Sequence, residues 1–275
     1  NITKHKVTQV TIVGDAFARP MLEVLDENPG KYDISSVGVI NSSGVMWTKE
    51  IKAGLLKHNQ NVLLSDAFSS SEAIGIGTSL MTKDQTIDVA KFALGPNCKV
   101  FSEDLKEVQP GTGESGMVAV KGFLPIGYYK DQEKTDKTFI VIDGIRYSIP
   151  GDWVRVEDDG SLTLLGRGSN CINTAGEKVY PEEVEEALKF HEAVADALVV
   201  GVKDEKWGQS ITAVVQPHDG CVIDELALRE FSRKHLAAYK LPKKILIKDD
   251  LNRAPNGKAD YKSIQEYAEQ QLGIN

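Results

Sequence analysis

Between residues 7 and 95, short runs of β-branched residues alternate with stretches of helical periodicity. In chain order they predict a strand over 10–14, a helix over 20–26, a strand over 37–40, a helix over 49–57 and a strand over 62–64. Such alternation is the signature of a parallel sheet, whose strands must be joined by crossover helices. Ligands of these sheets bind beyond the carboxyl ends of the strands. Two polar loops fall at that place: Asn41-Ser42-Ser43-Gly44, and the run from Asp66 through Phe68, Ser69, Ser70 and Ser71 to Glu72, with Gly75 and Gly77 following. Each loop alone has an ordinary loop composition; both could line one cleft.

From residue 98 to 166 the pattern shortens to alternating runs broken by Gly and Pro, which predicts a small antiparallel barrel or sandwich. Its last hairpin carries Val154, Val156, Leu162 and Leu164 around Asp158-Asp159-Gly160, a strong turn signal. A two-residue turn would set Asp152 opposite Arg167, and a three-residue turn would shift that register by one. As a surface ion pair alone, the two would contribute little.

Beyond Arg167 the pattern is mixed α and β again. Pro181, Glu182 and Glu183 mark a helix start, with Val184, Ala187 and Leu188 on one apolar face. Strand-like runs follow at 197–202, 211–215 and 245–247. A helix from about Asp224 sets Leu228, Phe231 and His235 on a face, and a last helix begins near Tyr261. The module boundary is expected in Gly166-Arg167-Gly168-Ser169-Asn170. The fold class is therefore α/β plus α+β: a parallel-sheet α/β subdomain (1–96), a small antiparallel β-barrel-like subdomain (97–168) and a C-terminal α+β domain (169–275).

Composition narrows the function classes. With 275 residues and 41% hydrophobic content the chain can bury ordinary cores. Its longest apolar runs fall far short of the roughly 18 residues that suggest a membrane span. A net charge of −8 speaks against a nucleic-acid partner and requires a local cationic site for any anionic ligand. Cys98, Cys171 and Cys221 form neither a disulfide framework nor a metal motif, and the five histidines lack ligand spacing. A reducing cytoplasm fits. The chain opens at Asn1 without methionine or a leader-like apolar core, so an upstream portion is expected to be missing.

Five segments then appear in order: Phe68-Ser69-Ser70-Ser71-Glu72, Gly151-Asp152, Gly166-Arg167, the run from Gly176-Glu177 to Glu185, and Pro255-Asn256-Gly257-Lys258. In order and spacing they resemble the successive motifs of the adenylate-forming superfamily. The stretch from Gly166 to Leu188 is most similar to bacterial fatty-acyl and steroid-side-chain-type CoA ligases, as is the opening from Ile12 to Pro20. The resemblance covers essentially the whole chain and identifies it as the C-terminal portion of an acyl-CoA synthetase.

That resemblance implies a carboxylic acid substrate, with ATP/AMP, Mg²⁺ and coenzyme A as cofactors. Residues 1–96 would form part of a nucleotide- and acyl-binding subdomain, with Ser43 and Gly44 lining the ligand cleft. Phe68, where the family usually has Tyr, would lie beside adenine; Ser69 and Ser70 would belong to the same cofactor-binding loop, and Ser71, where Thr is common, would offer an oxygen to phosphate or metal. Glu72 would hold Mg²⁺, a hard cation. Asp152 would accept from the ribose hydroxyls, and Arg167 would add a fixed guanidinium near ribose and phosphate. Lys258 would be the catalytic cation.

The C-terminal domain would be a mobile lid, hinged at Ser169 where the family usually has Asp or Lys. It would bring in Lys258 for adenylation and the loop at Gly176 and Glu177 for thioester formation. Ala175 replaces the first glycine of a common Gly-Gly pair. The glycine-rich Ser/Thr loop ending in lysine that grips the β- and γ-phosphates in the family is absent from the sequence. These residues alone are therefore expected to be inactive. Two alternatives stand beside the ligase: an adenylating domain that hands its acyl group to a carrier protein, and a non-catalytic nucleotide- or partner-binding fragment. Assembly into a homo-oligomer is left open.

Overall fold

The computed structural model describes residues 1–274 except Met46, 86–90 and Asn256. The chain divides into two compact units, Asn1–Leu164 and Leu165–Asn275.

The first unit starts with a short helix, α1 (Ile2–His5), and three parallel strands: β1 (Gln9–Ile12), β2 (Val39–Ser43) and β3 (Leu63–Phe68). The crossovers are α2 (Gly14–Glu27) and α3 (Lys49–His58). Helix α2 starts six residues before the predicted one and runs through Pro20. Ile40, Leu55 and Leu64 are buried with Trp47 in the core beneath this layer. After β3 the sheet reverses. β4 (Gly77–Met81) pairs antiparallel with β3, and β5 (Lys91–Leu94) with β4. The parallel run ends there because residues 69–76 are fewer than the dozen or so a parallel crossover needs.

β6 (Cys98–Phe101), β7 (Ser115–Lys121), α4 (Gln132–Thr138), β8 (Phe139–Ile142), β9 (Ile145–Ser148), β10 (Asp152–Val156) and β11 (Leu162–Arg167) follow. They extend the same sheet, in the order β1-β2-β3-β4-β5-β11-β10-β7-β9-β8 with β6 on β7. The barrel expected over 97–168 is thus an open sheet. Its physical reason is that β11 pairs with β5, Leu162 facing Phe92, so this edge joins the preceding strands instead of closing on its own segment. The β10–β11 turn has three residues: the Glu157 amide donates to the Ser161 carbonyl at 2.9 Å, and Gly160 (φ 78°) donates back to Glu157 at 2.9 Å. The facing pairs therefore sit one residue away from the two-residue-turn register.

The second unit contains β12 (Ile172–Thr174), β13 (Glu177–Val179), α5 (Pro181–Lys189), β14 (Val194–Asp204), β15 (Gly208–Pro217), α6 (Glu225–Ser232), β16 (Lys244–Ile247) and α7 (Tyr261–Leu272). The sheet order is β13-β12-β15-β14, with β16 parallel on β15. Pro181 opens α5 and Glu182 and Glu183 occupy its first turn, complementing the helix dipole. Val184, Ala187 and Leu188 are buried, as the periodicity predicted.

One face of β14 packs with α5 through Val199, and the other with α7 through Leu198, Val200, Ile264 and Ala268. Cover on both faces explains why Ala197–Val200 is continuously apolar instead of alternating. α6 is capped by Asp224, which accepts from the Ala227 amide at 2.8 Å, and it ends before His235. The His235 ring still lies 5.0 Å from that of Phe231. No helix among the described residues is long and apolar enough to cross a membrane.

Candidate active site

Because β2 and β3 are parallel neighbours, with Ser43 facing Ala67, the two predicted loops emerge at the same edge of the sheet. Ser43 is half-buried and ends β2; Gly44 follows with φ +90° and open space where a Cβ would stand. Ser42, not singled out by the sequence, is buried and its Oγ accepts from the Gly14 amide at 2.9 Å, tying the β1 and β2 ends together.

In the second loop, Ser70 and Ala73 exchange backbone bonds at 3.0 and 3.2 Å. The Ser70 Oγ accepts from the Ala73 amide at 3.1 Å and the Ser69 Oγ from the Gly75 amide at 3.1 Å. These hydroxyls shape the loop; Ser71 is exposed and Glu72 half-buried. The Tyr128 hydroxyl donates to Glu72 Oε1 at 2.6 Å. This contact, across 56 positions of sequence, had no local signal. Phe68 is 8% exposed, its ring 5.2 Å from that of Phe92, so it serves the core as well as the loop. Asp152 begins β10 behind Gly151 (φ +93°) and is buried.

Deeper in this unit, Lys52 pairs with Asp66 in near-complete burial, its ammonium 5.3 Å from the Trp47 ring. Burial pushes the Asp66 carboxyl up, against the pull of Lys52.

The second unit carries the remaining predicted residues. Arg167 is exposed, and its amide donates to Glu182 Oε1 at 3.4 Å. Ser169 is exposed in a 3₁₀ turn, Gly168–Asn170. Thr174 faces Glu177 across a two-residue turn, in which Ala175 (φ 54°) and Gly176 (φ 86°) are both left-handed. That conformation suits glycine at both positions, and the Ala175 methyl costs about 1 kcal/mol there. The Ala175 amide donates to the Trp207 carbonyl at 2.8 Å, which pins the turn to the β14–β15 connection. Glu177 is exposed.

Lys258 is exposed at the end of a tight turn: Gly257 donates to the Ala254 carbonyl at 2.7 Å and Ala254 to the Lys258 carbonyl at 3.0 Å. Asn256, part of the predicted turn, lies outside the described residues. Arg253 grips Asp196 of β14 with Nε at 2.5 Å and Nη2 at 2.9 Å, and its Nη1 donates to the Gly257 carbonyl at 3.2 Å. Three residues on from Lys258, the Tyr261 hydroxyl donates to Glu185 Oε2 at 3.2 Å, while Glu185 Oε1 accepts from the Val199 amide at 2.9 Å. Burial, reinforced by the neighbouring Glu182 charge, pushes the Glu185 carboxyl up to about 8.

The candidate residues thus fall into two groups. Ser43, Gly44, the Phe68–Glu72 loop and Asp152 belong to the first unit, and Arg167, Ser169, Gly176, Glu177 and Lys258 to the second. Among the described residues no cluster of three or more His, Cys, Asp or Glu could cage a metal.

The family model for the AMP-binding enzyme C-terminal domain matches residues 183–258, a span that ends on Lys258. Over 275 aligned residues the chain is 30% identical to 4-coumarate–CoA ligase 1 of Glycine max, covering 96% of this chain and 90% of that relative. The chain belongs to the adenylate-forming acyl-CoA ligase family. This family member is also 44% identical, over 98% of its length, to the medium/long-chain-fatty-acid–CoA/3-oxocholest-4-en-26-oate–CoA ligase of Mycobacterium tuberculosis (strain CDC 1551 / Oshkosh), covering 49% of that protein. The chain spans about half the length of such relatives. Its fold matches the anthranilate CoA ligase AuaEII solved with anthranoyl-AMP, at a TM-score of 0.83 and 20% identity over 99% of this chain and 52% of that one.

Proposed function

We propose that the complete protein to which these residues belong is an ATP-dependent acyl-CoA ligase. A carboxylate oxygen attacks the α-phosphorus of ATP as the bond to pyrophosphate breaks, and the CoA sulfur then attacks the acyl carbonyl as AMP leaves. The observation that carries this reading is the 44% identity to a CoA ligase over nearly the whole chain. The relatives named for fatty and cholestenoate-type acids support an acid with a large apolar body.

In this reading Phe68 and the loop from Ser69 to Ser71 border the adenine and phosphate, Asp152 accepts from the ribose hydroxyls, and Arg167 adds charge near them. Ser43 and Gly44, on the neighbouring strand end, border the same cleft. Glu72 supplies a hard carboxylate, and among the described residues no acidic cluster surrounds it. That suits Mg²⁺, which keeps much of its shell as water and phosphate oxygens and would neutralise phosphate charge. The Lys258 ammonium stabilises charge developing on the α-phosphate, an electrostatic role. The domain from Ser169 onward acts as the lid, and the strained Ala175-Gly176 turn with Glu177 borders the pantetheine path.

Residues 1–275 contain no glycine-rich Ser/Thr loop ending in lysine. Alone they sustain no pyrophosphate exchange. The test is CoA consumption by the complete protein with ATP and medium- or long-chain acids. Acid-dependent AMP formation with CoA consumed supports the ligase, whereas acyl-adenylate accumulating with CoA untouched points to a carrier-protein acceptor.

A further inference from the structure

Two side-chain anchors hold the short segment that carries Lys258, one on each side of it. Before the turn, Arg253 spends both faces of its guanidinium: a bidentate pair with Asp196 at 2.5 and 2.9 Å, and a bond to the Gly257 carbonyl at 3.2 Å. The residue that accepts this last bond is the one immediately before Lys258. After the turn, Tyr261 is tied to Glu185 of α5 at 3.2 Å. β14 and α5 are the central pieces of this unit's core, so both anchors reach rigid elements. Arg253 and Asp196 are each about one-fifth exposed, which keeps the pair from being screened like a surface ion pair.

We propose that Asp196 and Arg253 are positioning residues for the adenylation step: through the Gly257 carbonyl they fix the direction in which the Lys258 side chain leaves its turn. This rests on the reading of Lys258 as the adenylation cation. An ammonium that stabilises a developing charge must be held in place, because a displacement of about 1 Å costs up to about 100-fold in rate. A lysine has four rotatable carbons and little orientation of its own. The turn sets the direction in which its side chain leaves: backbone bonds from Gly257 to Ala254 and from Ala254 to Lys258 close the turn, and the Arg253 bond to the Gly257 carbonyl holds the peptide that leads into Lys258.

The test uses the complete protein and separates the two half-reactions. Asp196→Asn is expected to lower kcat of acid-dependent ATP–pyrophosphate exchange about 10- to 100-fold with KM for ATP changed less than about twofold. Thioester formation from supplied acyl-adenylate and CoA stays within about twofold. Arg253→Lys should behave alike, because a point charge cannot replace the fork, and Asp196→Glu should recover part of the loss.

Equal losses in both half-reactions would show a merely structural pair and overturn the proposal, as would unchanged pyrophosphate exchange in either folded variant. If Asp196→Asn does not fold, Arg253→Lys decides. A wild-type protein without acid-dependent exchange sinks the ligase reading itself and this inference with it. A wild-type protein that exchanges while either folded variant matches it sinks this inference alone.

Discussion

Replacing Glu185 by glutamine should make the chain more stable near neutral pH and remove a pH dependence that the wild type carries. Glu185 is buried, bonded to the Val199 amide and the Tyr261 hydroxyl, and its carboxyl is pushed up from 4.5 to about 8. Between those two values the folded chain binds a proton that the unfolded chain has released. Unfolding free energy therefore falls as pH rises through that window, by about 1.4 kcal/mol per unit and about 5 kcal/mol in all. Below 4.5 the contribution is fully present; above 8 it is gone and the slope vanishes. At pH 7 the wild type has lost about 3 kcal/mol of it.

Glutamine keeps an oxygen for the Val199 amide and never ionises, so its unfolding free energy should hold flat where the wild type's declines. The assay is urea unfolding followed by circular dichroism at pH 5, 6, 7 and 8. The quantity of interest is the difference between variant and wild type, in which other titrating groups cancel. That difference should grow in favour of glutamine by several kcal/mol from pH 5 to pH 8. Parallel curves, or a glutamine variant less stable than wild type at pH 8, would refute the reasoning.

Two further substitutions test local physics. Lys52→Met strips the partner from buried Asp66 and should cost about 3 kcal/mol at pH 7. The cost should be smaller at pH 5, where protonation relieves the stranded carboxylate; urea midpoints at the two pH values check this. Ala175→Gly relaxes a left-handed alanine and should raise stability by about 1 kcal/mol. A melting temperature unchanged or lowered would mean that the turn carries no such strain.

Much of this was legible in the sequence wherever a local pattern sufficed. The β-branched runs and helical periodicity located β1 to β3 and their crossovers. Pro181 with its acids located α5, and Val184, Ala187 and Leu188 named its buried face. What failed was non-local. Hydrophobic alternation in 98–166 says that strands exist but not which edges meet, so a barrel and an open sheet read alike until β11 is seen on β5. Pro20 resembled a helix start because proline favours the first turn, yet α2 begins at Gly14.

The candidate site shows the same division. Phe68, Glu72, Asp152 and Lys258 were visible as motif positions. Their supports were not: Tyr128 on Glu72, Phe92 on Phe68, and Asp196 on Arg253 across 57 residues are contacts made by the fold. Glu185 stood among the acids of α5: its spacing from Pro181, Val184 and Leu188 puts it on their buried face, but its partners Val199 and Tyr261 lie 14 and 76 residues away and carry no local signal.

In the proposed function, Lys258 supplies the charge for adenylation. The most direct test of that role is acid-dependent ATP–pyrophosphate exchange by the complete protein and its Lys258→Ala variant, with nucleotide binding measured alongside. In Lys258→Ala, exchange is expected to fall by about 100-fold or more while ATP still binds. Exchange at the wild-type rate in Lys258→Ala would contradict that role.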